Sequence, residues 1–186
     1  MADSYQISVT YPAQPSEHEP VSVFIRLLVM AFLAPIVVGL AAYLAPLYVA
    51  ISVARHGAAG FRERHGAFFR DYLGYIVGLN AYTYFLADDM PDWAKPGSVS
   101  VDLHGEASPS VGSALLRYIL NIPHFILLGI LGYAAILLWF VAAIMVLLKK
   151  PIPEFVPDFM QRYCSYGARV VGYHASMTDE YPPFSF

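Results

Sequence analysis

Residues 114–150 read ALLRYILNIPHFILLGILGYAAILLWFVAAIMVLLKK. The run carries one charge near its start, Arg117, and no other until Lys149 and Lys150 close it. A helix crosses the hydrocarbon core of a bilayer with about 20 apolar residues, so this stretch is long enough to do so. Pro123 lacks a backbone N–H and disfavours a helical residue just before it. The pattern predicts a short interfacial turn up to Ile122 and a spanning helix from there to Leu148.

A second run of the same kind lies upstream. Residues 21–53 hold a single charge, Arg26, with Pro35 and Pro46 as kink sites. The whole chain has 186 residues, 58% hydrophobic and 13% charged, with a mean hydropathy of +0.52. Soluble domains run nearer half apolar and a quarter charged, so this much apolar surface calls for lipid. A net charge of −3 gives no basic field for nucleic acid. One cysteine, Cys164, excludes an internal disulfide and a multi-cysteine metal site. Residues 1–20 are polar and lack a basic start, so the first apolar run is expected to stay as an anchor and not be cleaved as a leader.

The remaining segments are less apolar. A basic loop holds Arg55, His56, Arg62, Arg64 and His65, and a Tyr- and Gly-rich segment then runs to Asp88 and Asp89. A polar connector covers residues 95–110. The last segment, 155–178, carries Gln161, Arg162, Arg169 and His174. At an ungapped offset of 91 residues Arg26 meets Arg117, and Glu63 meets Glu154. Tyr72, Tyr75 and Tyr82 meet Tyr163, Tyr166 and Tyr173; Asp88 meets Asp179, and Pro91 meets Pro182. The agreement predicts duplication of a strand–helix–loop–helix unit, residues 1–97 and 98–186. Phe155, Phe159, Tyr163, Tyr166, Val170, Tyr173 and Met177 recur at helical spacing, one face of a helix. The opposite face has Arg162, Ser165, Arg169 and Ser176, which hydrocarbon would not accept comfortably.

Arg117 with Asn121-Ile122-Pro123-His124, then Arg169-Val170-Val171-Gly172-Tyr173 and Thr178-Asp179-Glu180-Tyr181-Pro182-Pro183-Phe184, resembles the bacterial membrane family called domain of unknown function 4389. The resemblance covers residues 99–186. In the first half Ala31-Phe32-Leu33 stands for Ile-Pro-His, and Met90-Pro91-Asp92-Trp93 for Tyr-Pro-Pro-Phe. Members of the family carry one or two copies. The resemblance implies a bacterial membrane protein and supplies neither an activity nor a catalytic residue.

The expected fold is therefore an all-α integral membrane protein. Four membrane-embedded helices, near 22–53, 62–87, 114–148 and 154–178, form two tandem hairpins related by an axis along the membrane normal. A short extended segment precedes each hairpin, at 6–11 and 98–103, and the two are short enough to pair. Arg26 with Asp88 and Arg117 with Asp179 are expected to clip the hairpin mouths. Arg162 and Arg169 suit a solvated face, a contact with another subunit, or anionic lipid or substrate. His124 and His174 are read as hydrogen-bonded or interfacial. Their counterparts Leu33 and Thr83 cannot ligate as they do, so neither metal nor cofactor is expected. No nucleophile or phosphate-loop motif appears, and no catalysis is expected. The leading functional expectation is a non-catalytic accessory or structural subunit of a larger membrane assembly, in contact with lipids and with partner subunits or further copies. The alternative is a lipid-binding protein or small oligomeric transporter. The expected location is the bacterial inner membrane. Arg55, Arg62, Arg64, Arg70, Lys149 and Lys150 place both hairpin loops in the cytoplasm and both termini outside.

Overall fold

Long charge-free runs form helix because, away from water, a segment must satisfy its own backbone groups. A computed structural model of the chain describes residues 7–15, 18–93, 97–104 and 107–185. Gln6, from the first extended segment, and Lys95, at the start of the polar connector, lie outside the described residues. Helix forms three continuous stretches. The first joins α1 (Ser22–Leu28), one π-helical turn (Val29–Leu33) and α2 (Ala34–Thr83). The second joins α3 (Val111–Leu120) and α4 (Ile122–Leu147), and the third is α5 (Phe155–His174). The π-turn stands just before Pro35, which cannot donate the N–H that a regular turn requires. Ser110 caps α3 by accepting from Ser113 N at 3.0 Å, while Ser113 Oγ accepts from Ser110 N at 2.9 Å. β1 (Ile7–Thr10) and β2 (Ser100–Leu103) pair antiparallel, with Val9 opposite Val101.

This overturns the expectation of an all-α protein with four membrane-embedded helices in two tandem hairpins. Among the described residues, only Ser22–Thr83 and Val111–Leu147 are long and apolar enough to cross a membrane. The segment expected at 62–87 is the continuation of α2. α5 is too polar to qualify, with Asp158, Gln161, Arg162, Arg169 and His174 along it. The apolar faces of both Tyr-rich segments are taken up by protein. Leu73, Ile76, Val77, Leu79 and Ala81 are buried in one, and Met160, Cys164, Tyr166, Ala168 and Val170 in the other.

The first stretch reverses within itself. Gly57 has φ 69° and ψ 173°, a backbone that favours glycine and breaks the helix. Beyond it the chain returns, so that Tyr72 donates to Val37 O at 2.5 Å and Tyr48 Oη lies 3.2 Å from His65 Nδ1.

The two halves then pack head to tail. Tyr118 donates to Tyr43 O, and Ala114 clusters with Val49, Val53 and Phe61, so α3 starts beside the Gly57 turn. At the other end Val146, Lys149 and Lys150 share a cavity of about 760 Å³ with Gln14, His18 and Pro20. The expected axis along the membrane normal is thereby corrected: the halves run antiparallel, and the Gly57 turn and the turn after α4 lie at opposite ends of the molecule. In layers, 22–56 and α3–α4 form an apolar pair, 58–83 and α5 lie behind it, and the β-ribbon packs on these two.

Candidate functional site

Charges are scarce in the apolar stretches, and two are buried. Arg26 is 0% exposed and Arg117 3%. A buried guanidinium requires partners for its fork of N–H donors. Arg26 Nη1 donates to Tyr82 O and, at 3.1 Å, to Ala87 O; Nη2 donates to Asp88 Oδ1 at 2.6 Å. Arg117 Nη1 donates to Tyr173 O and, at 2.7 Å, to Thr178 O; Nη2 donates to Asp179 Oδ1 at 2.6 Å. Each guanidinium also lies over a tyrosine ring, Tyr82 at 4.2 Å and Tyr173 at 4.4 Å. All three acceptor positions repeat at the offset of 91.

The helix ends are shaped to present those acceptors. α2 and α5 both finish in a left-handed residue that is not glycine, Phe85 (φ 62°) and Ser176 (φ 57°). The N–H one residue later returns to the helix, Leu86 to Ala81 O at 2.8 Å and Met177 to Gly172 O at 2.9 Å. This closing turn aims the next carbonyl and carboxylate at the arginine. The signal in the sequence is the Tyr and Asp spacing. The left-handed residues themselves gave none.

Half of each carboxylate faces water, with side-chain exposures of 45% for Asp88 and 49% for Asp179. The ion pairs are therefore partly screened, and the carbonyl bonds to the buried fork carry more of the energy. Each carboxylate has a further donor. His18 Nδ1 is 2.7 Å from Asp88 Oδ1, and Ser108 N donates to Asp179 Oδ2 at 2.7 Å.

The histidines serve the second half. Asn121 Nδ2 donates to His174 Nδ1 at 2.7 Å, so Nε2–H donates to Ala42 O at 2.8 Å. Burial holds this imidazole below its ordinary pKa, against the opposing effect of the bond to Ala42. His174 thus ties α5 to α2. His124 Nδ1 is 2.5 Å from Tyr166 Oη, and its ring stacks on Phe184 at 4.3 Å. The two histidines have separate partners. Among the described residues no three His, Cys, Asp or Glu side chains converge as a metal site would require.

Arg162 is exposed, and Arg169 donates to Ser185 O at 2.9 Å. The polar face they share is covered in part by the amino-terminal segment: Tyr11 Oη lies 3.1 Å from Ser165 Oγ and donates to Gln161 O. Sequence reasoning missed this contact, and also Trp139 Nε1, which donates to Thr83 O at 2.9 Å across the halves. Cys164 is buried, which pushes its thiol up and keeps it protonated.

These features define the class as a small helical protein with two apolar helices, consistent with a multi-pass membrane protein in contact with lipid. Residues 112–185 match the family model described as Domain of unknown function (DUF4389), so this part of the chain is similar to that family. No curated protein and no solved structure matches the chain.

Proposed function

We propose that the chain is a non-catalytic accessory or structural component of a bacterial membrane assembly. The observation that carries this reading is how its buried polar groups are used. The forks of Arg26 and Arg117 and the ring of His174 all bond the chain's own carbonyls, joining helix ends and halves. They reinforce the scaffold and leave large apolar side chains outward, among them Phe24, Phe32, Ile36, Ile126, Ile130 and Leu137. The shared geometry at the offset of 91 supports duplication, with units 1–97 and 98–186, and the clips are structural in both. The exposed Arg162 suits a partner subunit or an anionic headgroup. Basic residues at both turns suit the cytoplasmic side.

Cross-linking in native membranes tests the reading. A single-cysteine probe at Arg162 should give one discrete adduct with a membrane protein or a second copy. A chain that yields only lipid adducts and purifies as a stable monomer would overturn it.

A lipid-binding reading has one specific observation behind it. An apolar cleft of about 450 Å³ opens between Leu40, Leu44, Phe68 and Phe69, with Tyr48 and His65 also lining it. Its size suits an acyl chain. Mass spectrometry of retained lipids, before and after Leu44→Trp fills the cleft, separates this reading from the first.

A further inference from the structure

The geometry points to a protein that lies along the cytoplasmic face of the membrane, its two apolar helices sunk in one leaflet and its β-ribbon in water. This rests on the reading of the chain as membrane-embedded, and it concerns which surface meets lipid.

The ribbon supplies the first argument. β1 and the residues after it follow α5 from one end towards the other: Ile7 packs against Gly172, Tyr11 bonds Gln161 and Ser165, and Gln14 lines one cavity with Pro157. The chain through β2 makes the return journey, from Ser98 beside Asp89 to Ser108 beside Asp179. α5 has 20 residues, so this path is about 30 Å long at 1.5 Å per residue. That is also about the thickness of the hydrocarbon core. If the helices stood upright, that path would cross it from face to face and hold the open two-stranded ribbon inside it. Its outward side chains are polar: Thr10, Ser100, Asp102 and His104 are exposed. Its outer edges have no further strand among the described residues. Hydrocarbon does not tolerate open sheet edges.

Helix length supplies the second argument. Residues 22–56 and Val111–Leu147 each measure about 50 Å or more, far beyond what an upright crossing needs. On α3–α4 the exposed apolar residues Ile119, Ile122, Ile126, Ile130, Leu137 and Ile144 recur at helical spacing. They form one face, while Arg117, Asn121, His124, Trp139 and Ala142 are buried on the other. Lipid therefore meets this helix along one face for its whole length, while protein covers the other.

Charge supplies the third. The basic turns at Arg55 and Arg64 and at Lys149 and Lys150 are at opposite ends of the molecule, so an upright chain must send one of them outside. A chain lying flat keeps both in the cytoplasm, against anionic headgroups. It also keeps the segment from Ile7 to Pro20 cytoplasmic, in place of the outward termini expected from sequence.

Cysteine labelling tests the inference. In a Cys164→Ala background, single cysteines replace Arg64, Asp102, Lys150 and Ile130. With an impermeant maleimide, sealed spheroplasts should label none. Inverted vesicles should label the first three at rates within about tenfold of one another, and Ile130→Cys at least a hundredfold more slowly. Labelling of Arg64→Cys in one preparation and Lys150→Cys in the other would show an upright chain and overturn the inference. So would an Asp102→Cys that reacts only after detergent, which would mean a protein-covered ribbon. Trypsin on the unmodified chain gives an independent reading: cleavage near both turns in inverted vesicles, and at neither in spheroplasts. Loss from the membrane pellet would sink the membrane reading itself, a result distinct from either labelling pattern.

Discussion

Arg26 and Arg117 perform the same task in different surroundings. Both forks reach a carbonyl in the last turn of a helix, a second carbonyl beyond a left-handed residue, and then an aspartate. Around Arg26 the cover is apolar: Phe85 occupies the left-handed position, is 1% exposed, and lies 4.6 Å from the guanidinium and 5.9 Å from Trp139. Around Arg117 the same position is Ser176, and the neighbourhood holds two polar pairs, Asn121 with His174 and His124 with Tyr166. The arginine, the closing turn and the aspartate are thus the shared device, and the shell around it was free to diverge.

The largest effect should come from removing the fork. Arg26→Ala or Arg117→Ala leaves two helix-end carbonyls without their donor and opens a cavity, at a cost of about 3–5 kcal/mol each. Asp88→Asn and Asp179→Asn should cost about 1 kcal/mol or less, because each pair is half exposed and an amide oxygen still accepts. Thermal melting in mild detergent measures both. Equal losses for the arginine and aspartate variants would show that the ion pair, and not the carbonyl bonds, holds the clip.

The left-handed residues sharpen the comparison. A left-handed conformation costs a non-glycine residue about 1–2 kcal/mol. Ser176→Gly removes that strain and little else, so it should raise stability by up to about 1 kcal/mol. Phe85→Gly relieves the same strain but loses a fully buried ring over Arg26, and should destabilise by about 2–4 kcal/mol. Melting shifts of the same sign at the two positions would mean that the two shells are not as different as their side chains suggest.

A smaller effect separates the cross-links between the halves. Trp139→Phe keeps the ring in place and removes one bond to Thr83 O, at about 1–2 kcal/mol. His174→Phe loses bonds to both Asn121 and Ala42 O and should cost about 2–3 kcal/mol. Amide exchange should report the loss locally, near residues 80–87 for the first and near 40–46 for the second.

What the sequence disclosed follows from which properties are local. Two long charge-free runs are visible in any window, and Arg26, Asp88, Arg117 and Asp179 stand out because charges are rare around them. Which carbonyls the arginines reach depends on the closing turns at Phe85 and Ser176, and neither residue type signals a positive φ. The placement of the Tyr-rich segments was misread for a physical reason: an apolar helix face is equally suited to lipid and to another helix. The antiparallel packing rests on contacts such as Tyr118 with Tyr43 and His174 with Ala42, far apart in sequence, and nothing in either residue names its partner.

The smallest effect concerns the carboxylate beside the first clip, Asp89. Asp89 accepts from Ser98 Oγ at 2.6 Å and from Ser98 N at 2.7 Å, and so pins the start of the connector to the end of the first helical stretch. At the offset of 91 its counterpart is Glu180, whose own N–H bonds Thr178 Oγ1 at 3.0 Å. The Ser98 hydroxyl bond holds Asp89 below the usual carboxylate range, with burial opposing it. A folded pKa depressed below the unfolded value means that the charged form is favoured by folding. The contribution is therefore present in full above the unfolded value and is lost as pH falls through the folded one. Asp89 is mostly exposed, so the effect is small and salt screens part of it. Melting temperature from pH 7 down to pH 3 should fall slightly further for the parent chain than for Asp89→Asn, which has no proton to take up. A Ser98→Ala change should abolish that difference while leaving the two arginine clips intact. If Asp89→Asn and the parent lose stability in parallel, the bond to Ser98 is not made by an ionised carboxylate in solution.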